Sequence, residues 1–268
     1  MKEFILEVAK EVGELAMEYL GKAKVSDKGP KDVITEADLA VEKLIIKKIR
    51  EKYPGHNIVA EESTNKNSGS RYRWYIDPID GTHNYAHGDP NFVVSIGVTE
   101  DGELKYACIN FPYMKDMYYA EKGKGTELNG KKVRVSRAST PDRAMIQLGI
   151  SPLKDAIDDS LKLFRYFTVH YLKARDYGYT AGQMAFVASG KADGYLKIGQ
   201  HPWDVAAGIL IIEEAGGKVT DFKGNKIKLG GKSELYNLVA SNGLLHDQLL
   251  KELDSKELKS IDKNKTWY

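Results

Sequence analysis

The chain has 268 residues, a little under two domains' worth at about 150 residues each, so it forms one large unit or two closely joined halves. Lys+Arg 40 against Asp+Glu 38 leaves a formal net charge of +2, which gives no support for a dedicated nucleic-acid or polyanion binder. Hydrophobic residues at 42% and charged residues at 29% exclude wholesale disorder, and apolar runs such as Gly208-Ile209-Leu210-Ile211-Ile212 fall far short of a membrane span.

The first segment, 1–22, places Ile5, Val8, Ala9, Val12, Leu15, Ala16, Tyr19 and Leu20 on one stripe of a 3.6 period, with acids interspersed. That predicts an amphipathic helix closed by Gly21, not a secretory signal. Polar residues 23–33, with Lys28-Gly29-Pro30-Lys31, predict a mobile loop or short hairpin. Helix returns over 35–53 with Ala37, Val41, Leu44, Ile45 and Ile49 inward, and Pro54-Gly55 stops it. Strands are predicted at 57–60 and 73–76, then a meander at 92–99, 104–111 and 117–120 with turns at Asp101-Gly102 and Pro112. The second half alternates: strand 144–148, helix 152–165, strand 167–174, helix 181–189, strand 194–198, helix 204–215, strand 235–240 and helix 244–253. Interleaved strands and helices predict a layered α/β sandwich, and the charged tail 256–268 is expected to fray. The single Cys108 excludes an internal disulfide, fits a reducing cytoplasm and sits inside a strand-like run as a core residue. The Lys/Glu-rich usage leans toward a thermophilic source.

Chemistry concentrates at Asp77-Pro78-Ile79-Asp80-Gly81-Thr82, which follows the strand-like Trp74-Tyr75-Ile76. Strand ends that turn into loops are where α/β proteins place their sites. Pro78 stiffens the turn, so both carboxylates can face one point with the Ile79 carbonyl between them, a hard-oxygen set that suits Mg²⁺. Gly81 permits a close backbone approach, and the Gly81 and Thr82 amides would face an anion if a helical turn starts there. An acidic turn in which each carboxylate only caps a backbone amide would use the same residues. Three further segments add acids. Ala60-Glu61-Glu62-Ser63 ends a strand, Pro202-Trp203-Asp204 opens an apolar helix, and Thr35-Glu36-Ala37-Asp38 opens the second helix. Each alone also reads as an exposed acidic turn or an ordinary helix entry. Together Glu61, Asp77, Asp80 and Asp204, with Asp38 and Thr82 as helpers, make the inventory of a carboxylate-bound metal cluster.

These motifs, with Trp74 through Tyr85 and Pro202-Trp203-Asp204-Val205-Ala206-Ala207-Gly208 continuing to Glu214-Ala215-Gly216-Gly217, resemble the magnesium-dependent, lithium-sensitive phosphatases that include inositol monophosphatase and many prokaryotic fructose-1,6-bisphosphatases. The resemblance runs from the first helix to about Leu253. It implies an αβαβα layered sandwich acting as one catalytic unit, with 1–140 carrying most metal ligands and 141–268 carrying Asp204 and the substrate-selecting residues. It also implies a homodimer; from charge and composition, neither nucleic acid nor membrane is expected as partner. By resemblance, Glu61, Asp77 and the Ile79 carbonyl match the first metal's ligands, and Asp77, Asp80 and Asp204 the second's. Glu61 also matches the residue that holds a third, weaker metal through water. Thr82, with Asp38, matches the pair that orients the attacking water, and the Gly81 and Thr82 amides match the phosphate cradle. Two or three Mg²⁺ per site are implied, with Mn²⁺ as a substitute, and the substrate class is a small phosphorylated polyol. His83, His87 and His201 read as packing or supporting groups.

The match loosens at the leaving-group side. Arg175 and Gly178 resemble the family's Arg-x-x-Gly segment beside the substrate, but Tyr179-Thr180-Ala181 follows where the family often has Ser or Thr and two alanines. Seven residues before Asp204, where inositol-specific animal enzymes carry glutamate, this chain has Lys197. A lysine suits a second phosphate or another polyol better than a bare inositol ring, unless it points to solvent. Lys28 and Lys31 either reach a substrate phosphate or are solvated. Inositol 1-phosphate, with fructose 1,6-bisphosphate also accepted, leads. A 3′(2′),5′-bisphosphate nucleotidase, a histidinol-phosphate phosphatase and an interaction protein on the same fold are the alternatives.

Overall fold

The computed structural model describes residues 1–29, 31–63, 68–261 and 263. Helix α1 (Lys2–Tyr19) buries Ile5, Val8, Ala9, Val12 and Ala16 at the predicted spacing. A hairpin follows, β1 (Val25–Gly29) with β2 (Asp32–Thr35); Pro30 of its expected turn lies outside the described residues. Thr35 then opens α2 (Glu36–Lys52) through a reciprocal capping box with Asp38.

The first sheet runs in the order β3 (Asn57–Ala60), β4 (Tyr72–Asp80), β5 (Val93–Glu100), β6 (Glu103–Phe111), β7 (Asp116–Glu121), β8 (Thr126–Leu128) and β9 (Lys131–Lys132). Only β3 and β4 are parallel; the rest is an antiparallel meander. The short α3 (Thr82–Ala86) leaves the end of β4. The second half supplies β10 (Met145–Gly149), α4 (Ile157–His170), β11 (Lys173–Arg175), α5 (Thr180–Ala188), β12 (Gly194–Gln200), α6 (Pro202–Glu214), β13 (Lys218–Asp221), β14 (Tyr236–Ser241) and α7 (His246–Glu252). Its sheet has the order β11–β10–β12–β14–β13.

The layers are αβαβα. Helices α1 and α2 cover the outer face of the first sheet, α5 and α6 lie between the two sheets, and α4 and α7 cover the far face of the second. The middle helices are apolar on nearly every side, as a helix between two sheets must be: every residue of α5 is buried, and α6 buries Trp203 and the run from Val205 to Ile212. Close packing depends on Gly97 of β5, where an added Cβ would stand 2.8 Å from the Ala206 Cβ. Among the described residues no helix is long and apolar enough to cross a membrane.

Three expectations are corrected. The predicted strand over 167–174 is mostly helix: α4 continues to His170, and only Lys173–Arg175 is extended. Phe167 is aromatic and Val169 β-branched, but Leu163, Phe167 and Tyr171 are buried at a spacing of four, so packing overrides local preference. The predicted helix start at 152 gives way to a 3₁₀ turn, Lys154–Ala156. Asp77 and Asp80 lie in the end of β4 rather than in a loop beyond it, with the ladder to β5 interrupted between them. Pro78 has no N–H to give that ladder. Strands β8, β9 and β13 and helix α3 went unpredicted, each being five residues or fewer. The tail's residues 262 and 264–268 lie outside the described residues.

Candidate functional site

Helices α2, α3, α5 and α6 begin around one point at the end of β4, and the predicted acids gather there. Asp38 is the third residue of α2, where its Oδ2 accepts from the Thr35 N–H at 2.9 Å. The helix-entry reading of Asp38 holds, and its Oδ1 also lies 3.2 Å from the Thr82 hydroxyl. That hydroxyl is also 3.0 Å from the Ile79 carbonyl, so one proton is shared between two acceptors. Asp204 holds the same position in α6, its Oδ2 accepting from the His201 N–H at 2.8 Å. Asp80 reaches across the layers and accepts from the N–H groups of Thr180 (2.8 Å) and Gly182 (3.3 Å) in the first turn of α5. Positive helix ends thus face the carboxylates, which favours negative charge at this point. Gly81 turns the chain from β4 into α3 at φ +105°, and a Cβ there would stand 3.0 Å from the Asn91 carbonyl.

Asp77 differs from its neighbours. It is 3% exposed, and its Oδ1 has no hydrogen-bond partner among the described residues. Burial, then the charges of Glu61, Asp80, Asp204 and Asp38, push its carboxyl well above the usual range. Burial raises Glu61 to about 8 against the pull of Lys28, with Asp204 adding to the rise. Asp80 and Asp204 are each raised to about 6, again by burial first; backbone N–H donors and Lys197 restrain both. Acids from the two halves therefore repel one another. They are neighbours rather than a finished cage: among the described residues no three His, Cys, Asp or Glu side chains are gathered as a ready metal site. Mg²⁺ keeps several of its waters and needs only one or two carboxylates per ion, so this sparse all-oxygen set, with one buried oxygen unpartnered, fits it.

Lys28 of the hairpin bonds to Glu62 Oε1 at 2.8 Å and lies 3.5 Å from Glu61 Oε1; it is neither simply solvated nor turned elsewhere. Burial opposes its charge, but Glu61 and Glu62 hold the ammonium above its ordinary range. Lys31 shows no ion pair among the described residues. Lys197 points inward. Its stem crosses Gly149, where an added Cβ would lie 2.2 Å from the Lys197 Cδ, and its Nζ is 3.2 Å from the Thr180 hydroxyl. Gly178 lies at φ +77°, and an added Cβ there would stand 3.1 Å from the Asn84 Oδ1, two residues beyond Thr82. Arg175 is exposed and donates to the Tyr177 hydroxyl at 2.9 Å; among the described residues no ion pair or hydrogen bond ties it to the acids.

His201 stacks on Trp203 (4.4 Å, 7°), and burial lowers its pKa to about 4, in keeping with a supporting role. The His87 Nδ1 meets the His83 carbonyl at 2.8 Å. Cys108 is buried, its thiol pushed up to about 12. Two residues escaped the sequence reading. Glu42 is 2% exposed and accepts from the Glu62 N–H at 2.8 Å; its position four after Asp38 on the same inward face was the available signal. Lys232 donates to the Glu61 carbonyl from a Gly-Gly-Lys stretch that gives no signal. A mostly apolar cavity of about 910 Å³ lies elsewhere, between α1 and β6–β8, lined by Leu6, Met17, Pro112, Met117 and Tyr119. It contains none of these acids, and chemistry rather than volume places the site.

The inositol monophosphatase family matches this chain over residues 1–258. The fructose-1,6-bisphosphatase/inositol-1-monophosphatase of Thermotoga maritima is 36% identical over 251 residues, 93% of this chain and 94% of that protein. The Nus factor SuhB of Pseudomonas aeruginosa is 36% identical over 235 residues, 84% and 86% of the two chains. The solved Thermotoga maritima IMPase superposes with a TM-score of 0.87 at 34% identity, covering 96% of this chain and 98% of that one.

Proposed function

The chain belongs to the inositol monophosphatase family, and from that premise we propose that it hydrolyses phosphate monoesters of small polyols with Mg²⁺ as cofactor. The observation that carries this reading is the cluster of buried Asp77 and Asp80 with half-buried Glu61 and Asp204, drawn from 1–140 and 141–268 as one catalytic unit and met by helix N-termini. Inositol 1-phosphate is the lead substrate, with fructose 1,6-bisphosphate accepted; relatives bearing both names support this.

A phosphate monoester is dianionic, and its uncatalysed hydrolysis is among the slowest known reactions. Glu61, Asp77, Asp80, Asp204 and the Ile79 carbonyl would hold the cations. When bound, Mg²⁺ supplies Lewis acidity and positive charge against the phosphoryl oxygens. The Gly81 and Thr82 amides orient the phosphate at the start of α3. Thr82, donating to Asp38 Oδ1, keeps lone pairs free to accept a hydrogen bond from the attacking water and fix its line of approach. The water oxygen then bonds to phosphorus as the bond to the polyol oxygen breaks, and the proton that the water gives up ends on the departing polyol oxygen. Lys197, beside Thr180, meets the leaving group. A homodimer is expected from the resemblance.

Phosphate release from inositol 1-phosphate, fructose 1,6-bisphosphate, histidinol phosphate and adenosine 3′,5′-bisphosphate, with and without Mg²⁺, tests the reading. Turnover of the first two only with Mg²⁺ is expected; turnover of none, or equal turnover in chelator, would sink it. The SuhB-named relative keeps a second reading, an interaction protein on the same fold. Absence of turnover together with capture of transcription components would favour it.

A further inference from the structure

We propose that Lys232 is a positioning residue that clamps the Glu61 loop to the Asp204 helix and so sets the distance between acids of the two halves. This rests on the metal-dependent reading above. The Lys232 ammonium donates to the Glu61 carbonyl, and to the Ser63 carbonyl at 3.2 Å. It also stands 5.5 Å from the centre of the Trp203 ring, on its face. Trp203 directly precedes Asp204 in α6, and Glu61 directly follows β3. One cation therefore bonds to the backbone of one proposed ligand and rests on the ring next to another. A cation over an indole face is attracted by the negative π face of the neutral ring, so the contact orients the ammonium as well as shielding it.

The segment that bears Lys232 is itself held in place. Tyr75, two residues before Asp77 on β4, donates its hydroxyl to the Gly230 carbonyl at 3.1 Å. The Gly230 N–H donates to the Tyr236 hydroxyl at 2.9 Å, and that hydroxyl reaches the Lys228 carbonyl at 3.1 Å. Beneath it Val59, Tyr75, Trp203 and Ala206 form a small apolar cluster between the first sheet and α6, with Leu229 packed against it. The lysine is thus delivered by the strand that carries Asp77.

The Glu61 loop is gripped from its other side as well. Glu42 accepts from the Glu62 N–H at 2.8 Å and from the Ser63 hydroxyl, and the Glu61 N–H reaches the Ile76 carbonyl at 3.3 Å. These bonds fix the loop to the first half alone; Lys232 supplies its tie to the second. Groups that hold a ligand's backbone change metal affinity without touching the ion, typically by about 10–100-fold.

The test compares wild type with Lys232→Met, which keeps the stem and removes the charge, and Lys232→Arg, which restores a cation. Hydrogen exchange at the Glu62 and Ser63 amides reads the clamp without reference to activity, and Mg²⁺ titration calorimetry reads its consequence. Expected are faster exchange and Mg²⁺ binding weakened by about tenfold or more in Lys232→Met, both largely recovered in Lys232→Arg. Unchanged exchange in Lys232→Met overturns the clamp. Faster exchange with unchanged Mg²⁺ affinity overturns its positioning role. No Mg²⁺ uptake by the wild type overturns the functional reading and the positioning role together, while exchange still decides whether the clamp exists.

Discussion

Asp80, the last residue of a strand in the first sheet, caps a helix of the second half: its Oδ1 accepts the Thr180 N–H at 2.8 Å. One side chain thus has two duties, and substitutions can separate them. Asp80→Asn keeps an oxygen for the helix and loses the charge; Asp80→Ala loses both. Each should lower kcat/KM by on the order of 10³-fold. Only the alanine should also lose about 1 kcal/mol of stability, the usual cost of a lost cap. Phosphate-release kinetics and chemical denaturation check the two effects. Near-normal turnover in Asp80→Asn would remove it from the metal set.

Thr82 presents one hydroxyl proton to two acceptors, Asp38 Oδ1 at 3.2 Å and the Ile79 carbonyl at 3.0 Å. Thr82→Ala should cut kcat by about 10²–10⁴-fold, the range of a positioned proton-transfer group, and leave competitive inhibition by inorganic phosphate nearly unchanged. Thr82→Ser should recover most of kcat. An unaltered kcat in the alanine variant would mean that this hydroxyl does not orient water.

The crowded acids give metal-free protein a distinctive pH response. Burial raises Glu61 to about 8 and Asp80 and Asp204 to about 6, and raises Asp77 as well; repulsion from neighbouring acids adds to the rise of Glu61, Asp77 and Asp80. In the unfolded chain each titrates near about 4. Between those limits the folded state binds more protons than the unfolded state, so its stability falls as pH rises. Bound Mg²⁺ offsets the repulsion, so the rise in Tm on adding Mg²⁺ should be larger at about pH 8 than at about pH 6. Scanning calorimetry in chelator and in Mg²⁺ measures this. A Tm shift equal at both values, or none, would contradict the cluster. Asp77→Asn should raise the metal-free Tm at the higher pH while abolishing the Mg²⁺ effect.

Legibility in the sequence tracks the range of the forces involved. The long helices α1, α2 and α6 are readable because their apolar positions repeat at a helical period or fill the whole surface. Glu61, Asp80 and Asp204 are conspicuous in the sequence because each stands at or beside an element end, and Asp77 because Pro78 marks the break in its strand. The stretch 167–174 misleads because Phe167, Val169 and Tyr171 favour strand locally, and only packing of Leu163 and Phe167 against the second sheet makes α4 continue. Lys232 is out of reach for another reason: its partners Glu61 and Ser63 are 171 and 169 residues away, and no local pattern encodes a bond to a distant carbonyl.

Lys197 is proposed to select the leaving group attached to the phosphate. Its stem lies over Gly149, its ammonium is 3.2 Å from the Thr180 hydroxyl, and its charge restrains the rise of both Asp80 and Asp204. A fixed cation here favours a leaving group that carries its own anion, whereas a carboxylate would favour hydroxyls that donate to it. Lys197→Glu should therefore lower kcat/KM for fructose 1,6-bisphosphate relative to inositol 1-phosphate by about tenfold or more, a pocket-scale discrimination. Lys197→Met controls for charge: it should lower kcat/KM for fructose 1,6-bisphosphate without raising it for inositol 1-phosphate. Because the acids lose a nearby cation, both variants should also bind Mg²⁺ at least as tightly as wild type, which calorimetry reads independently of turnover. A ratio of the two kcat/KM values that stays fixed across all three proteins would put Lys197 outside the substrate's reach and leave selection to residues beyond Thr180.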